Sequence, residues 1–317
     1  MNILIVGLGV IGTTYGYLFQ KVGHCVEHYI RKSSPKHAIQ KLQVNMLDGR
    51  INPQGTETLD KYVVEKSTKK DYDFIFVAVP SGKIADVLTE LKQQKFSGTI
   101  LFCCGIWENR TYIDSITDGW NYVLGYPVAG GNIIGETLHC CVFDHFMLES
   151  NEKTNIPNYA QLEKLFSDCS VKLEKPHDML EWIWLHIAIN AGVVSVAGRY
   201  GDIHNASASA ENLMNSTKRL AEAVKSIRET SKIVESRGVN LKNYANELFA
   251  YKLPTWLSAP IMKRMFAKNI LTRKIMTLHS NIDDLLFVCE SVYEKGKVNN
   301  ISAPIFYGNY EEFSKKM

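Results

Sequence analysis

Along the first half of the chain, short apolar runs alternate with segments whose apolar positions recur every three to four residues. That alternation predicts parallel strands linked by crossover helices. The runs that predict strands are residues 2–6, 25–30, 73–79, 99–103 and 122–126. Residues 86–91, after Pro80-Ser81-Gly82, start a crossover helix, and residues 138–149 and 171–174 add edge strands around a helix at 159–167. The alternation then stops. From Lys175-Pro176 onward every strong pattern is helical, including a long amphipathic segment over 205–238 that Gly238 closes. The expected fold class is α/β: a doubly wound sheet domain over residues 1–174, then an all-helical domain over 175–317.

The turn after the first strand sharpens this picture. Gly7-Leu8-Gly9-Val10-Ile11-Gly12 follows an Ile-Leu-Ile-Val run and opens a segment with helical spacing at Ile11, Tyr15, Leu18 and Phe19. In that context G-x-G-x-x-G marks a Rossmann-type dinucleotide site. Gly7 permits a tight turn, Gly9 a close approach of backbone to pyrophosphate, and Gly12 close packing of helix on strand. The helix N-terminus then offers free N–H groups and positive partial charge to the phosphates.

The second strand runs into Arg31-Lys32-Ser33-Ser34. An NAD site usually has an Asp or Glu there for the ribose 2′-hydroxyl. Two cations and two hydroxyls suit a 2′-phosphate instead, so NADP(H) is the expected cofactor. A solvated basic loop is the plainer alternative.

Composition adds mainly exclusions. With 45% hydrophobic and 22% charged residues the 317-residue chain is globular, and its net charge of +3 gives no reason to expect nucleic acid or a membrane surface. Residues 180–198 are apolar but contain Glu181, His186 and Asn190, as a buried core helix would. No secretory signal is readable. Seven cysteines, none in CxxC spacing, point to reduced thiols in a cytoplasm and to no metal site.

With these features in place the sequence resembles the ketopantoate reductase (2-dehydropantoate 2-reductase) family as a divergent member. The resemblance rests on the Gly-rich turn at residue 7, Arg31, the domain switch near 175, the helix carrying Trp184-x-His186-x-x-x-Asn190, and a late His279-Ser280-Asn281-Ile282-Asp283-Asp284 segment. It implies an NADPH-dependent reduction of a 2-oxo acid to a hydroxy acid, cytoplasmic and tied to pantothenate biosynthesis. Catalysis there uses a helix Lys as general acid, an Asn four residues on and a Glu in the late helix, with an Asn-Gly pair near the nicotinamide. In this chain His186 stands at the Lys position, Asn190 is kept, and Asn281 stands at the Glu position. Cys104-Gly105 replaces Asn-Gly, and Pro80 stands where a Lys often follows the preceding strand. The expected substrate is a small anionic carbonyl compound, and a homodimer is compatible with the fold.

Read without the family, His186 and Asn190 stand four apart and project on one side of an apolar helix. They are either a bonded core pair or a site. An imidazolium of ordinary pKa near 6.5 would protonate a carbonyl oxygen as hydride adds. Between Leu248 and Ile282 there is no acid, while Lys252, Lys263, Arg264, Lys268, Arg273 and Lys274 all occur. That run reads either as a solvated face or as a positive lining for anions. Two rivals stay open: an NADP(H)-binding sensor or interaction protein without turnover, and an enzyme reducing a C=N bond.

Overall fold

A computed structural model describes residues 1–278 and 282–316. The chain divides into two compact units, Met1–Leu180 and Glu181–Met317, so the division falls within the first turn of a long helix.

The first unit opens with β1 (Asn2–Val6), α1 (Val10–Lys21), β2 (Cys25–Tyr29), a short 3-10 turn (Pro35–Ala38), β3 (Lys41–Asp48) and β4 (Thr56–Val63). It continues through β5 (Asp71–Val77), α2 (Ile84–Gln93), β6 (Ser97–Cys103), α3 (Arg110–Thr117), β7 (Tyr122–Ile134) and β8 (Thr137–Leu148). It ends with α4 (Asn151–Thr154), α5 (Tyr159–Asp168) and β9 (Lys172–Glu174). The strands form one mixed sheet in the order β2-β1-β5-β6-β7-β8-β3-β4, with β9 paired to β8.

The chain leaves β1 on one side for β2 and returns on the other side for β5, all three parallel. This reversal opens a crevice at the carboxyl ends of β1 and β5, where open α/β sheets bind ligands. The faces of α1 and α5 are sealed onto the sheet by rings. Tyr15 meets Phe146 edge-on with centroids 5.5 Å apart, and Phe146 meets Phe166 at 4.5 Å. Burying such side chains stabilises by about 1.5–3 kcal/mol each, so the platform under the Gly-rich turn is firmly held.

Two strand expectations change. Residues 138–149 were expected at an edge, yet β8 is interior, antiparallel to β7 and parallel to β3. The cause is the hairpin β3–β4, absent from the expected elements, which crosses to β8 and takes the edge. Its signal was present: Leu42, Val44 and Met46 are buried and alternate with exposed Lys41, Gln43 and Asn45.

The second unit is helical throughout: α6 (Met179–Tyr200), α7 (Ala206–Met214), α8 (Thr217–Glu235), a 3-10 turn (Leu241–Tyr244), α9 (Ala245–Lys252), α10 (Thr255–Lys268), α11 (Ile270–Leu278), α12 (Ile282–Val298) and α13 (Pro304–Ser314). The expected single helix over 205–238 is broken after Met214, where Ser216 accepts from the Arg219 N–H and starts α8 afresh. Helix α6 is long and apolar enough to cross a membrane by length and composition, but 61% of its most apolar window is buried. Neighbouring helices account for that burial. The Thr230 hydroxyl of α8 donates to the Ala188 carbonyl at 2.7 Å, Cys289 of α12 reaches the Ala191 carbonyl, and Arg199 donates to Asn309 of α13 at 2.8 Å.

Candidate functional site

The three glycines of the turn have separable reasons to be glycine. Gly7 has φ +82°, a conformation side chains resist. A Cβ on Gly12 would lie 2.7 Å from Ile5 Cγ2, so the start of α1 closes on β1 only without one. Gly9 has an ordinary φ of −85°, and a Cβ there would meet nothing nearer than the Ala78 carbonyl at 3.7 Å. Nothing within the protein demands glycine at position 9. The role the motif gives the second glycine is to let phosphates approach the backbone closely.

The helix end above this turn is open. No side chain caps α1 at Gly9, and its first turn, which includes Val10, Ile11 and Gly12, contains no acid. The first N–H groups of α1 and the positive end of its dipole therefore suit a diphosphate. The residues present fit a nicotinamide dinucleotide.

The turn is also braced from beneath. Gly7 N–H donates to the Tyr29 carbonyl at 2.8 Å, and the fully buried His28 donates from Nδ1 to the Gly7 carbonyl at 2.8 Å. His28 Nε2 then accepts from the Tyr62 hydroxyl at 2.7 Å, a tautomer that the carbonyl acceptor requires. Burial pushes the His28 pKa down to about 4, so the ring is neutral at ordinary pH. Lys36, from the 3-10 turn, donates Nζ to the Leu8 carbonyl at 3.0 Å, and partial burial lowers its pKa. Neither His28, Tyr62 nor Lys36 was singled out from sequence, because each reaches the turn only through the fold.

At the end of β2, Arg31, Lys32 and Ser33 are exposed as expected of a loop. The loop itself has no acid, as its sequence shows, yet one reaches this corner from elsewhere in the fold. Glu90 on α2 accepts from Arg31 Nε at 2.5 Å and from the Tyr29 hydroxyl at 2.7 Å. The carboxylate missing from the β2 loop arrives from a segment 59 residues away.

The loops after β5 and β6 meet beside this crevice. The Ser81 hydroxyl, next to Pro80, donates to the Gly105 carbonyl at 3.0 Å, and Cys104 before it is buried. Gly7–Gly12, Pro80 and Cys104-Gly105 thus all lie at the carboxyl edge of the parallel strands.

In the second unit, His186 stacks on Trp182 one turn earlier, with centroids 4.9 Å apart and planes 12° from parallel. Part of the His186 surface reaches solvent, yet desolvation by surrounding protein dominates and pushes its pKa down to about 4. The expected imidazolium near neutrality is therefore corrected: His186 is a neutral ring there. Asn190 follows one turn on along α6, partly exposed. Asn281 lies outside the described residues. In the basic run, Arg273 pairs with Glu211 of α7, and Lys252, Lys263, Arg264, Lys268 and Lys274 are exposed, which favours the solvated face. Among the described residues no cluster of His, Cys, Asp and Glu is placed to hold a metal ion.

The fold and the turn define a Rossmann-type first unit followed by an all-helical second unit. Residues 3–104 match the family model described as ketopantoate reductase PanE/ApbA. No curated protein matches the chain. Among solved structures, D-mandelate dehydrogenase with NADH and anilino(oxo)acetate is 14% identical with a TM-score of 0.70, covering 100% of this chain and 98% of that one. A dimeric ketopantoate reductase from Staphylococcus aureus is 12% identical with a TM-score of 0.62 and the same coverage. The 2-dehydropantoate 2-reductase from Geobacter metallireducens GS-15 is 14% identical with a TM-score of 0.67, covering 100% of both chains. At such identities these likenesses speak for the fold.

Proposed function

We propose that the chain is an NADP(H)-dependent reductase that converts a small 2-oxo acid or related carbonyl compound to the hydroxy compound. The observation that carries this reading is Gly9, a glycine with no steric cause inside the protein, at the foot of an uncapped helix in the sheet's crevice. Gly7–Gly12 and the α1 N-terminus would hold the diphosphate, Arg31, Lys32 and Ser33 the 2′-phosphate, and the loops at Pro80 and Cys104-Gly105 the nicotinamide end. When bound, a nicotinamide would supply hydride to the carbonyl carbon. Negative charge then develops on the carbonyl oxygen. By the family resemblance His186 would act at that oxygen and Asn190 would contact the substrate. A neutral His186 serves there as an N–H donor, so the proton that completes the hydroxyl comes from water.

A homodimer belongs to the same reading, supported by the likeness to a dimeric ketopantoate reductase and by exposed Trp256, Ile261 and Met265 on α10. Seven cysteines without a disulfide among them suit a reducing cytoplasm.

The reading is tested by titrating NADPH and NADH into the protein and following NADPH oxidation with a panel of 2-oxo acids. Tighter NADPH binding, by on the order of ten-fold from one shared charge-assisted contact, and steady turnover of one panel member are expected. A second reading, a cofactor-binding sensor without turnover, is favoured by the loss of both the family's Lys and its Glu. Tight binding with no oxidation of any carbonyl or imine partner would select it.

A further inference from the structure

The corner at the end of β2 contains more than the cofactor reading uses. Glu90 sits near the end of α2, and its two carboxylate oxygens are divided between two partners. Oε1 accepts from the Tyr29 hydroxyl and Oε2 from Arg31. Tyr29 is itself steadied by an edge-on contact with Phe96 at 5.1 Å. Burial, then the bond to Glu90, raises the Tyr29 pKa to about 12, so the phenol stays a donor. The carboxylate is thereby fixed at the strand end where dinucleotide folds place the ribose 2′ substituent.

We propose that Glu90 sets cofactor preference as the resident counter-ion of Arg31, which the 2′-phosphate of NADPH must displace and the ribose hydroxyl of NADH need not. The inference rests on the reading that a dinucleotide binds at Gly7–Gly12, and it deepens that reading. Glu90 is a positioning residue acting through Arg31. Their ion pair has 52% of the Arg31 and 25% of the Glu90 side-chain surface exposed, so its own contribution to stability is small. Its consequence is electrostatic. While the pair is closed, Arg31 presents little net charge to a phosphate, and the Glu90 carboxylate repels one. A ribose hydroxyl meets no such penalty and can donate to the same carboxylate.

Among the described residues Arg31 has no second ion pair that would stand in for Glu90. Lys32 and Ser33, both exposed, remain for the phosphate once it arrives. The arrangement therefore narrows the gap between the two cofactors without removing the phosphate site.

The test measures dissociation constants of NADPH and NADH for the full chain, for Glu90→Gln, for Arg31→Ala and for the double variant. Glu90→Gln should tighten NADPH by on the order of ten-fold, the scale of breaking one exposed ion pair and removing one like charge, and should leave NADH unchanged or somewhat weaker, since its ribose hydroxyl loses a charged acceptor. In the Arg31→Ala background the same substitution should tighten NADPH less, because no cation is freed. If Glu90→Gln does not fold, Tyr29→Phe, which loosens the carboxylate, should shift the ratio the same way by a smaller factor. An unchanged NADPH-to-NADH ratio, or equal losses for both cofactors, overturns the role of Glu90 while leaving the dinucleotide site in place. Failure of the unmodified protein to bind either cofactor overturns both.

Discussion

His28 Nδ1 donates to the carbonyl oxygen of Gly7 at 2.8 Å from a ring with no exposed surface, so the floor of the Gly-rich turn is a buried, neutral imidazole. In the unfolded chain this histidine has a pKa near 6.5, and in the folded chain about 4. Between those values the unfolded state binds the proton and the folded state does not. Stability therefore rises with pH across this window and falls as pH drops from about 6.5 towards 4, by up to roughly 3 kcal/mol from this group. His186 titrates in the same range, so the difference between unmodified protein and His28→Gln isolates His28. Denaturant melts at pH 7 and pH 5 should show a smaller pH effect in the variant. An identical pH effect in both would mean that the ring is not buried as described.

A second prediction separates two glycines that look equivalent in the motif. Gly12→Ala puts a Cβ 2.7 Å from Ile5 Cγ2, an overpacking expected to cost about 1–3 kcal/mol of stability. Gly9→Ala meets only the Ala78 carbonyl at an ordinary 3.7 Å, so its melting temperature should stay near that of the unmodified protein. Its cofactor affinity should nonetheless fall by ten-fold or more, about 1.4 kcal/mol, because the methyl group occupies the approach to the phosphates. Thermal melts and cofactor titrations on both variants check the crossed pattern. Loss of stability without loss of affinity at Gly9 would remove the main support for the dinucleotide site.

The sequence made the parallel strands and the Gly-rich turn legible because their signals are local: apolar runs, and glycines at fixed spacing. Expected strand positions at residues 2–6 and 99–103 lie within β1 (Asn2–Val6) and β6 (Ser97–Cys103). What stayed hidden depended on distant segments. The β3–β4 hairpin alternates clearly over Leu42, Val44 and Met46, yet no local feature says that it pairs with β8. Glu90 belongs to an ordinary amphipathic helix until the fold carries it to Arg31. His28 follows Glu27 in a strand whose alternation says nothing about a carbonyl 21 residues earlier. The imidazole of His186 shows a further limit, since an ordinary pKa was the only value available before its surroundings were known.

A third prediction concerns ketopantoate. At the family's Lys and Glu positions the chain has His186 and Asn281, neither carrying a charge at neutral pH in this reading. General acid–base groups commonly contribute a factor of 10² to 10⁴. Turnover of ketopantoate should accordingly be at least about a hundred-fold below that of a relative with both groups, measured side by side as kcat/KM. Comparable rates would show that a neutral ring and an amide suffice, and would place ketopantoate back among the substrates.

The last prediction decides what His186 is for. Stacked on Trp182 and neutral at pH 7, it is either a core ring or a hydrogen-bond donor to substrate. As a donor aimed at developing charge, its loss costs kcat and barely touches cofactor affinity. One such donor is worth on the order of 10²–10³ in kcat. His186→Ala should therefore lower kcat on the true substrate by that factor while NADPH binding stays within about two-fold. The pH profile supplies a second readout. A ring with pKa near 4 donates its N–H unchanged from pH 6 to pH 8, so kcat should show no limb near 6.5 that the variant lacks. As a core ring, its loss would open a cavity against Trp182 and leave polar partners unmet, costing about 1–3 kcal/mol, which is several degrees in melting temperature. A melt and a rate on one preparation separate the two. An early melt with an unchanged rate assigns His186 to the core. A limb near pH 6.5 in the unmodified protein would instead restore the imidazolium acid and overturn the neutral ring.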